Sequence, residues 1–217
     1  MLNVLIIILA AIFLFGVLFF EKRKSRGGLL PAKTILSLLF ILAVLVQPHP
    51  IPSYFYLLLA GLIVCMGGDV FLALPQGKMF LFGLVSFLLG HLFYILAFFS
   101  VAGTSTWTWI GLLTVFVMSA WIYSWLRPHL GSMKMPVLLY VIIISIMVSG
   151  AWTVLGDLDL TRSGRIMVFI GALSFYFSDV FVARDRFIGQ QFLNRLLGLP
   201  LYYAGQFLLA FSVGLLG

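Results

Sequence analysis

Two aspartates lie within long apolar stretches of the 217-residue chain, and each begins the same short motif. Asp69 starts Asp-Val-Phe-Leu-Ala, and Asp179 starts Asp-Val-Phe-Val-Ala. A carboxylate near the centre of a membrane-spanning helix costs about 2.5 kcal/mol or more on insertion scales, so residues of this kind usually have a function. Two buried carboxylates suit acid–base chemistry, because one can hold a proton while the other stays ionised. The same pair could equally relay protons in a transporter.

The composition indicates a membrane protein. Hydrophobic residues make up 63% of the chain and charged residues only 9%, whereas soluble globular domains carry about 25% charged residues. The basic residues that give the chain its net charge of +7 lie in short segments between apolar stretches. That distribution fits topology signals and anionic lipid headgroups rather than nucleic-acid binding. The single cysteine, Cys65, excludes an intrachain disulfide and a thiolate cluster.

The hydropathy pattern predicts an all-α membrane protein in which residues 1–217 form one transmembrane domain. The first apolar stretch is followed, not preceded, by basic residues, so we expect a retained span rather than a cleaved signal peptide. The expected spans are approximately 2–20, 32–47, 53–74, 79–100, 107–126, 135–155, 164–183 and 192–216.

The distribution of basic residues predicts the orientation of these eight spans. Eleven Lys and Arg residues lie in loops that follow odd-numbered spans, whereas only Arg162 and Arg165 follow even-numbered ones. The positive-inside rule therefore places the odd-numbered loops in the cytoplasm and both termini outside it. Asp69 and Asp179 then lie near the cytoplasmic ends of spans three and seven, roughly 7–8 Å deep at 1.5 Å per residue.

An internal repeat extends from the aspartates into the spans that follow them. Gly90-His91 in span four matches Gly205-Gln206 in span eight, and similar apolar residues follow both. We therefore expect two parallel four-helix repeats, at about 1–103 and 104–217, related by an axis along the membrane normal. His91 takes the place of Gln206 in this alignment.

The remaining polar residues within the spans offer further candidates, because the common catalytic motifs are absent from the sequence. Ser178 lies about 100° around its helix from Asp179, so we expect its hydroxyl to bond back to its own helix rather than act together with Asp179. His91 should lie deeper than the aspartates by roughly 10 Å at helical rise. That mismatch in depth, and the lack of a second intramembrane histidine, argue against a metal site, and we expect no cofactor.

These residues resemble the YhhN family of lysoplasmalogenase-like integral membrane proteins, and the resemblance covers most of the chain. Arg184-Asp185 departs from the family's pattern by being more charged. The matching residues are Lys33, Gly68-Asp69, Phe82-Gly83-Leu84, Gly90-His91-x-x-Tyr94, Gly171 to Asp179 with Ala183-x-x-Arg186-Phe187 after it, and Pro200 to Gln206.

The resemblance implies an eight-span protein, in the inner membrane if the host is a bacterium, that hydrolyses the vinyl-ether bond of lysoplasmalogens. The products are a fatty aldehyde and a glycerophospho-alcohol. Such a protein acts on a lysophospholipid and contacts membrane lipids, but not nucleic acid. The alternatives are a small-molecule or proton-coupled transporter that uses the same carboxylates, and a structural or lipid-scaffolding protein.

Vinyl-ether hydrolysis fits the chemistry expected of two carboxylates. It begins with slow protonation of the β-carbon, which gives an oxocarbenium ion that water captures. We expect Asp69 and Asp179 to supply the acid and the cation-stabilising carboxylate, in an unassigned order. His91 is a third catalytic candidate that could orient water or hold a carboxylate. The candidate substrate-binding residues are Lys33, Lys78 and Arg186 for the phosphate, with Tyr94, Ser178, Tyr203 and Gln206.

Overall fold

A computed structural model of the protein describes residues 1–74 and 77–217. These residues form eight α-helices and contain no strand. Two short 3-10 turns, at 127–129 and 131–133, join the fifth and sixth helices. The helices are α1 (Leu2–Lys22), α2 (Arg26–Leu45), α3 (Pro52–Ala73), α4 (Gly77–Val101), α5 (Thr106–Leu126), α6 (Lys134–Gly156), α7 (Arg162–Phe187) and α8 (Phe192–Ser212).

The all-α prediction is confirmed, and each expected span corresponds to one helix. The largest difference is at α2, which begins at Arg26 rather than near residue 32. Pro31 lies in its second turn, close enough to the N-terminus that few intrahelical hydrogen bonds are lost. Lys33, expected at the boundary of its span, is therefore well inside α2. Likewise, α7 continues to Phe187, which places Asp179 further from its helix end than Asp69 is from the end of α3.

The outer surface of the bundle is suited to lipid. Large apolar side chains such as Ile12 and Phe15 on α1, and Leu113 and Trp121 on α5, are exposed. An apolar surface of this extent is unfavourable in water but is expected where helices face hydrocarbon. Within the part of the chain that the structure describes, seven helices are long and apolar enough to cross a membrane. The protein is thus a multi-pass membrane protein. The helix outside these seven is α8, which contains Asn194, Arg195 and Gln206.

Glycines allow two helix pairs, α3 with α4 and α7 with α8, to pack closely. A methyl group added at Gly90 of α4 would lie 3.3 Å from the Gly61 carbonyl oxygen of α3. A methyl group added at Gly205 of α8 would lie 2.8 Å from the Gly171 carbonyl oxygen of α7. Small residues at such contacts let helix backbones approach each other, which favours helix association in membranes. Asp69 and Asp179 each lie two turns further along the same helices, so this packing fixes their positions.

Candidate active site

A cavity of about 100 Å³ lies among the ends of the helices that border the odd-numbered loops. Its walls come from the C-terminal parts of α3, α5 and α7 and from the N-terminal parts of α4, α6 and α8, with Lys33 from α2. Most of the lining is apolar. Asp69 and Asp179 both line this cavity. The fold thus brings the two predicted carboxylates into one cavity.

Asp69 is held by hydroxyl groups from two other helices. Its side chain is 2% exposed, and its Oδ2 accepts hydrogen bonds from Ser37 Oγ of α2 and Tyr202 OH of α8, both at 2.7 Å. The Lys33 ammonium attracts the Asp69 carboxylate electrostatically, although no nitrogen–oxygen contact within 4.0 Å joins them in the described structure. Two charge-assisted hydrogen bonds and a nearby cation offset much of the cost of burying this group.

Asp179 is held by a tyrosine and a histidine. Tyr140 OH of α6 donates to Asp179 Oδ2 at 2.6 Å, and His91 Nε2 of α4 lies 2.9 Å from the same hydroxyl. Because the tyrosine proton goes to Asp179, this network assigns the donating hydrogen to His91 Nε2. His91 Nε2 is also only 3.5 Å from Asp179 Oδ2. The expected difference in depth therefore does not separate His91 from Asp179.

A third set of hydrogen bonds holds the Tyr202 hydroxyl in position. Tyr94 OH donates to Gln206 Oε1 at 2.7 Å, and Gln206 Nε2 donates to Tyr202 OH at 3.1 Å. All three residues are buried, but only Tyr202 is among the residues that line the cavity. Tyr94 and Gln206, both predicted to contact substrate, thus position a tyrosine that itself contacts Asp69.

The ring of Phe175 lies between the two carboxylate networks. Its centroid is 4.6 Å from the His91 ring and 5.1 Å from the Tyr202 ring. Phe87, which lines the cavity, packs edge-on against both Phe175 and Tyr202. These aromatic contacts orient the side chains that bind the carboxylates, and they surround the site with apolar atoms.

The remaining candidate residues differ in whether they line the cavity. Ser178 lines the cavity beside Asp179, and its buried hydroxyl has no hydrogen-bond partner among the described residues. The expectation that it bonds back to its own helix is therefore wrong. Tyr203 is buried but is not among the cavity-lining residues. Lys78 is exposed, and Arg186 is an exposed residue whose guanidinium lies over the Phe80 ring, 4.5 Å from its centroid.

Several site residues were missing from the sequence-based set of candidates. Tyr202 could have been preferred to Tyr203, because the spacing of four residues puts it on the same helix face as Gln206. The same spacing links Ser37 to Lys33. Tyr140 sits in an apolar stretch with no distinguishing spacing. Asn194 and Arg195 lie in the first turn of α8 and line the cavity. In the described ranges, no three His, Cys, Asp or Glu side chains are grouped as metal ligands.

We expect Tyr202→Phe to destabilise the protein by about 1–3 kcal/mol, because it leaves the Gln206 Nε2 donor and one Asp69 contact without a partner. Tyr123→Phe is the matched control, since its hydroxyl makes only a 3.3 Å contact at an exposed position. A change within about 0.5 kcal/mol is expected there. Thermal unfolding of both variants in detergent measures the difference. Equal shifts in the two midpoints would contradict a supporting role for Tyr202.

Comparisons with known proteins agree with the resemblance in the sequence. The YhhN family matches residues 30–213, which include both aspartates. A protein named lysoplasmalogenase from Mycobacterium bovis is 32% identical over 174 residues, which cover 77% of this chain and 63% of that protein. Lysoplasmalogenase TMEM86A from Bos taurus is 34% identical over 158 residues, or 70% of this chain and 62% of that protein.

A further relative matches over a longer region. Lysoplasmalogenase TMEM86B from Rattus norvegicus is 35% identical over 194 residues, which cover 88% of this chain and 75% of that protein. The chain matches less than two thirds of the length of the Mycobacterium bovis and Bos taurus proteins. No solved structure matches it significantly. The match to most of the chain shows that this protein belongs to the YhhN family.

Proposed function

We propose that this protein is a membrane-embedded hydrolase that cleaves the vinyl-ether bond of lysoplasmalogens. The observation that carries the proposal is that Asp69 and Asp179 line one apolar cavity. Relatives at 32–35% identity are named lysoplasmalogenases, which supports the choice of substrate. The cavity lies within a helical bundle whose surface suits lipid, which is compatible with a substrate that resides in the membrane.

The proposed reaction adds one water molecule across the vinyl ether. A carboxylic acid donates its proton to the β-carbon, the carbon–carbon π bond breaks, and the positive charge is shared between the α-carbon and the ether oxygen. The second carboxylate, being ionised, stabilises this oxocarbenium ion and accepts a proton from the attacking water. The resulting hemiacetal collapses to a fatty aldehyde and a glycerophospho-alcohol. Asp69 and Asp179 share the two roles as a coupled pair.

The hydrogen-bond partners of the two carboxylates support these roles. Ser37 and Tyr202 orient Asp69, and Tyr140 orients Asp179. His91 acts through Tyr140 as a positioning residue, because its Nε2 contacts that hydroxyl and also lies close to Asp179. An apolar lining strengthens the interaction between a carboxylate and a developing cation, since little water competes for either. The hydroxyl of Ser178 is free to bond a substrate oxygen.

We expect Asp69→Asn and Asp179→Asn each to lower the rate of aldehyde release from an alkenyl lysophospholipid by about 10²–10⁴-fold, the usual contribution of general acid–base catalysis. Asparagine keeps the size and most hydrogen-bonding capacity of aspartate but cannot donate a carboxyl proton. The measurement is aldehyde release by purified protein in detergent. Asp159→Asn, an exposed aspartate in the α6–α7 loop, serves as the control and should keep the normal rate.

Two results would contradict the proposed function. Normal aldehyde release by the folded Asp69→Asn or Asp179→Asn protein would exclude catalysis by that carboxylate. A transporter that uses the same aspartates would instead release no aldehyde in detergent but would move a solute or protons across liposomes in an aspartate-dependent way. A scaffolding protein would show changes in stability alone.

We also propose that all eight helices cross the membrane as one domain, with both termini outside the cytoplasm and two parallel four-helix repeats. The glycine contacts support the repeats, because Gly61 and Gly90 in the first half occupy positions that match Gly171 and Gly205 in the second. The eleven basic residues assigned to the odd-numbered loops support this orientation.

Cysteine labelling tests this orientation. We expect Asp159→Cys in the α6–α7 loop to react with a membrane-impermeant maleimide on intact cells. Ser132→Cys in the α5–α6 connection should react only after the membrane is permeabilised. Both positions are exposed, and the native Cys65 is buried, so it should contribute little signal. The reverse pattern would place the odd-numbered loops, and with them the cavity, on the outer side.

A further inference from the structure

Two cationic side chains from different helices line the cavity. They are Lys33 of α2 and Arg195 of α8, which line the cavity together with Asp69 and Asp179. The Lys33 residue is only 2% exposed, and no carboxylate lies within 4.0 Å of its ammonium in the described ranges. Because no carboxylate contacts the buried Lys33 ammonium directly, this group can bind an anion that enters the cavity, and the low dielectric there strengthens such an interaction.

The guanidinium of Arg195 is held by carboxylates that are not among the cavity-lining residues. Its Nη2 lies 2.8 Å from Asp185 Oδ2, and its Nη1 lies 3.9 Å from Glu21 Oε1. Asp185 is itself buried, and its Oδ1 accepts hydrogen bonds from the Gln191 backbone N–H at 3.1 Å and from Asn194 Nδ2 at 3.4 Å. Because a guanidinium carries five N–H donors in a fixed plane, this contact leaves donors free for a second anion.

Unpaired polar atoms in the same cavity point to a ligand with hydrogen-bonding groups. Ser178 Oγ and Asn194 Oδ1 are buried and have no hydrogen-bond partner in the part of the chain described, and both residues line the cavity. Buried polar atoms are normally satisfied by protein, water or ligand. A ligand that places an anion on the two cations and hydroxyl or ester oxygens nearby would satisfy both requirements.

We propose that Lys33 and Arg195 form the binding site for the phosphate of a lysophospholipid headgroup, with Asp185 positioning Arg195. This proposal rests on the proposed function and deepens it. Phosphate diesters carry one negative charge, and both Lys and Arg bind phosphate oxygens well. In a lysoplasmalogen, the phosphate and the vinyl-ether bond lie at opposite ends of the glycerol, so only the glycerol backbone separates them. An anion held at Lys33 therefore places that bond beside Asp69, while the hydrocarbon chain follows the apolar lining.

The test compares two uncleavable probes that share a chain but differ in the phosphate headgroup, 1-palmitoyl-lysophosphatidylcholine and 1-palmitoylglycerol. Binding to purified full-length protein is measured by thermal shift titration in detergent. We expect the wild type to bind the phosphate-bearing probe about tenfold more tightly, the effect of a charge-assisted hydrogen bond. Lys33→Gln and Arg195→Gln should each remove this preference, and Arg195→Lys should restore part of it.

Matched controls remove the same charges at exposed positions near the same end of the bundle. Arg127→Gln and Lys134→Gln should keep the preference, because neither residue lines the cavity. Retained binding of 1-palmitoylglycerol shows that a variant is folded. An unchanged preference in the folded Lys33→Gln or Arg195→Gln protein, or no preference in the wild type, would overturn the proposal. Displacement of the lipid probe by inorganic phosphate at equal concentration would assign the site to free phosphate and overturn the headgroup assignment.

Aldehyde release, measured in parallel, separates this proposal from the proposed function. A clear headgroup preference without hydrolysis of alkenyl lysophospholipid would reject the hydrolase and keep the anion site. Hydrolysis without any headgroup preference would reject the anion site and keep the hydrolase.

Discussion

The architecture depends on the cost of keeping carboxylates inside a bundle that offers them little water. A buried carboxylate is tolerated only when it is hydrogen-bonded or paired with a cation. Asp69 meets this condition through Ser37 of α2 and Tyr202 of α8. Asp179 meets it through Tyr140 of α6, which His91 of α4 contacts in turn. Each carboxylate network therefore joins the first four helices to the last four, and the position of each aspartate depends on both halves.

The cavity combines charged and apolar side chains. The two carboxylates lie beside apolar side chains such as Phe87, where a developing positive charge would be stabilised strongly. Lys33 and Arg195 supply positive charge to the same cavity. The anionic headgroup, the ether bond and the hydrocarbon chain of a lysophospholipid each have a complementary group in this cavity. The charges of the cavity are thus compatible with the proposed substrate.

The sequence was sufficient to predict the helices and the two aspartates, because hydropathy and the cost of intramembrane charge are local properties of the chain. It could not identify Tyr140, since nothing in an apolar stretch shows which tyrosine faces a carboxylate on another helix. Tyr203 was predicted in place of its neighbour Tyr202, although the four-residue spacing between Tyr202 and Gln206 puts these two on one helix face. Ser178 was expected to bond to its own helix, but its hydroxyl has no hydrogen-bond partner among the described residues. Side-chain partners between helices are set by tertiary packing, which sequence spacing describes only within one helix.

Hydrolysis of an alkenyl lysophospholipid in deuterium oxide tests the central claim most directly. Proton transfer from a solvent-exchanged carboxylic acid to the β-carbon leaves that hydrogen on carbon 2 of the aldehyde. Trapping the aldehyde at once as an oxime prevents later exchange, and mass spectrometry then counts the deuterium atoms. The account predicts one deuterium at carbon 2 with the wild-type protein, and almost no product with Asp69→Asn or Asp179→Asn. Aldehyde without deuterium, or unchanged product from either variant, would contradict it.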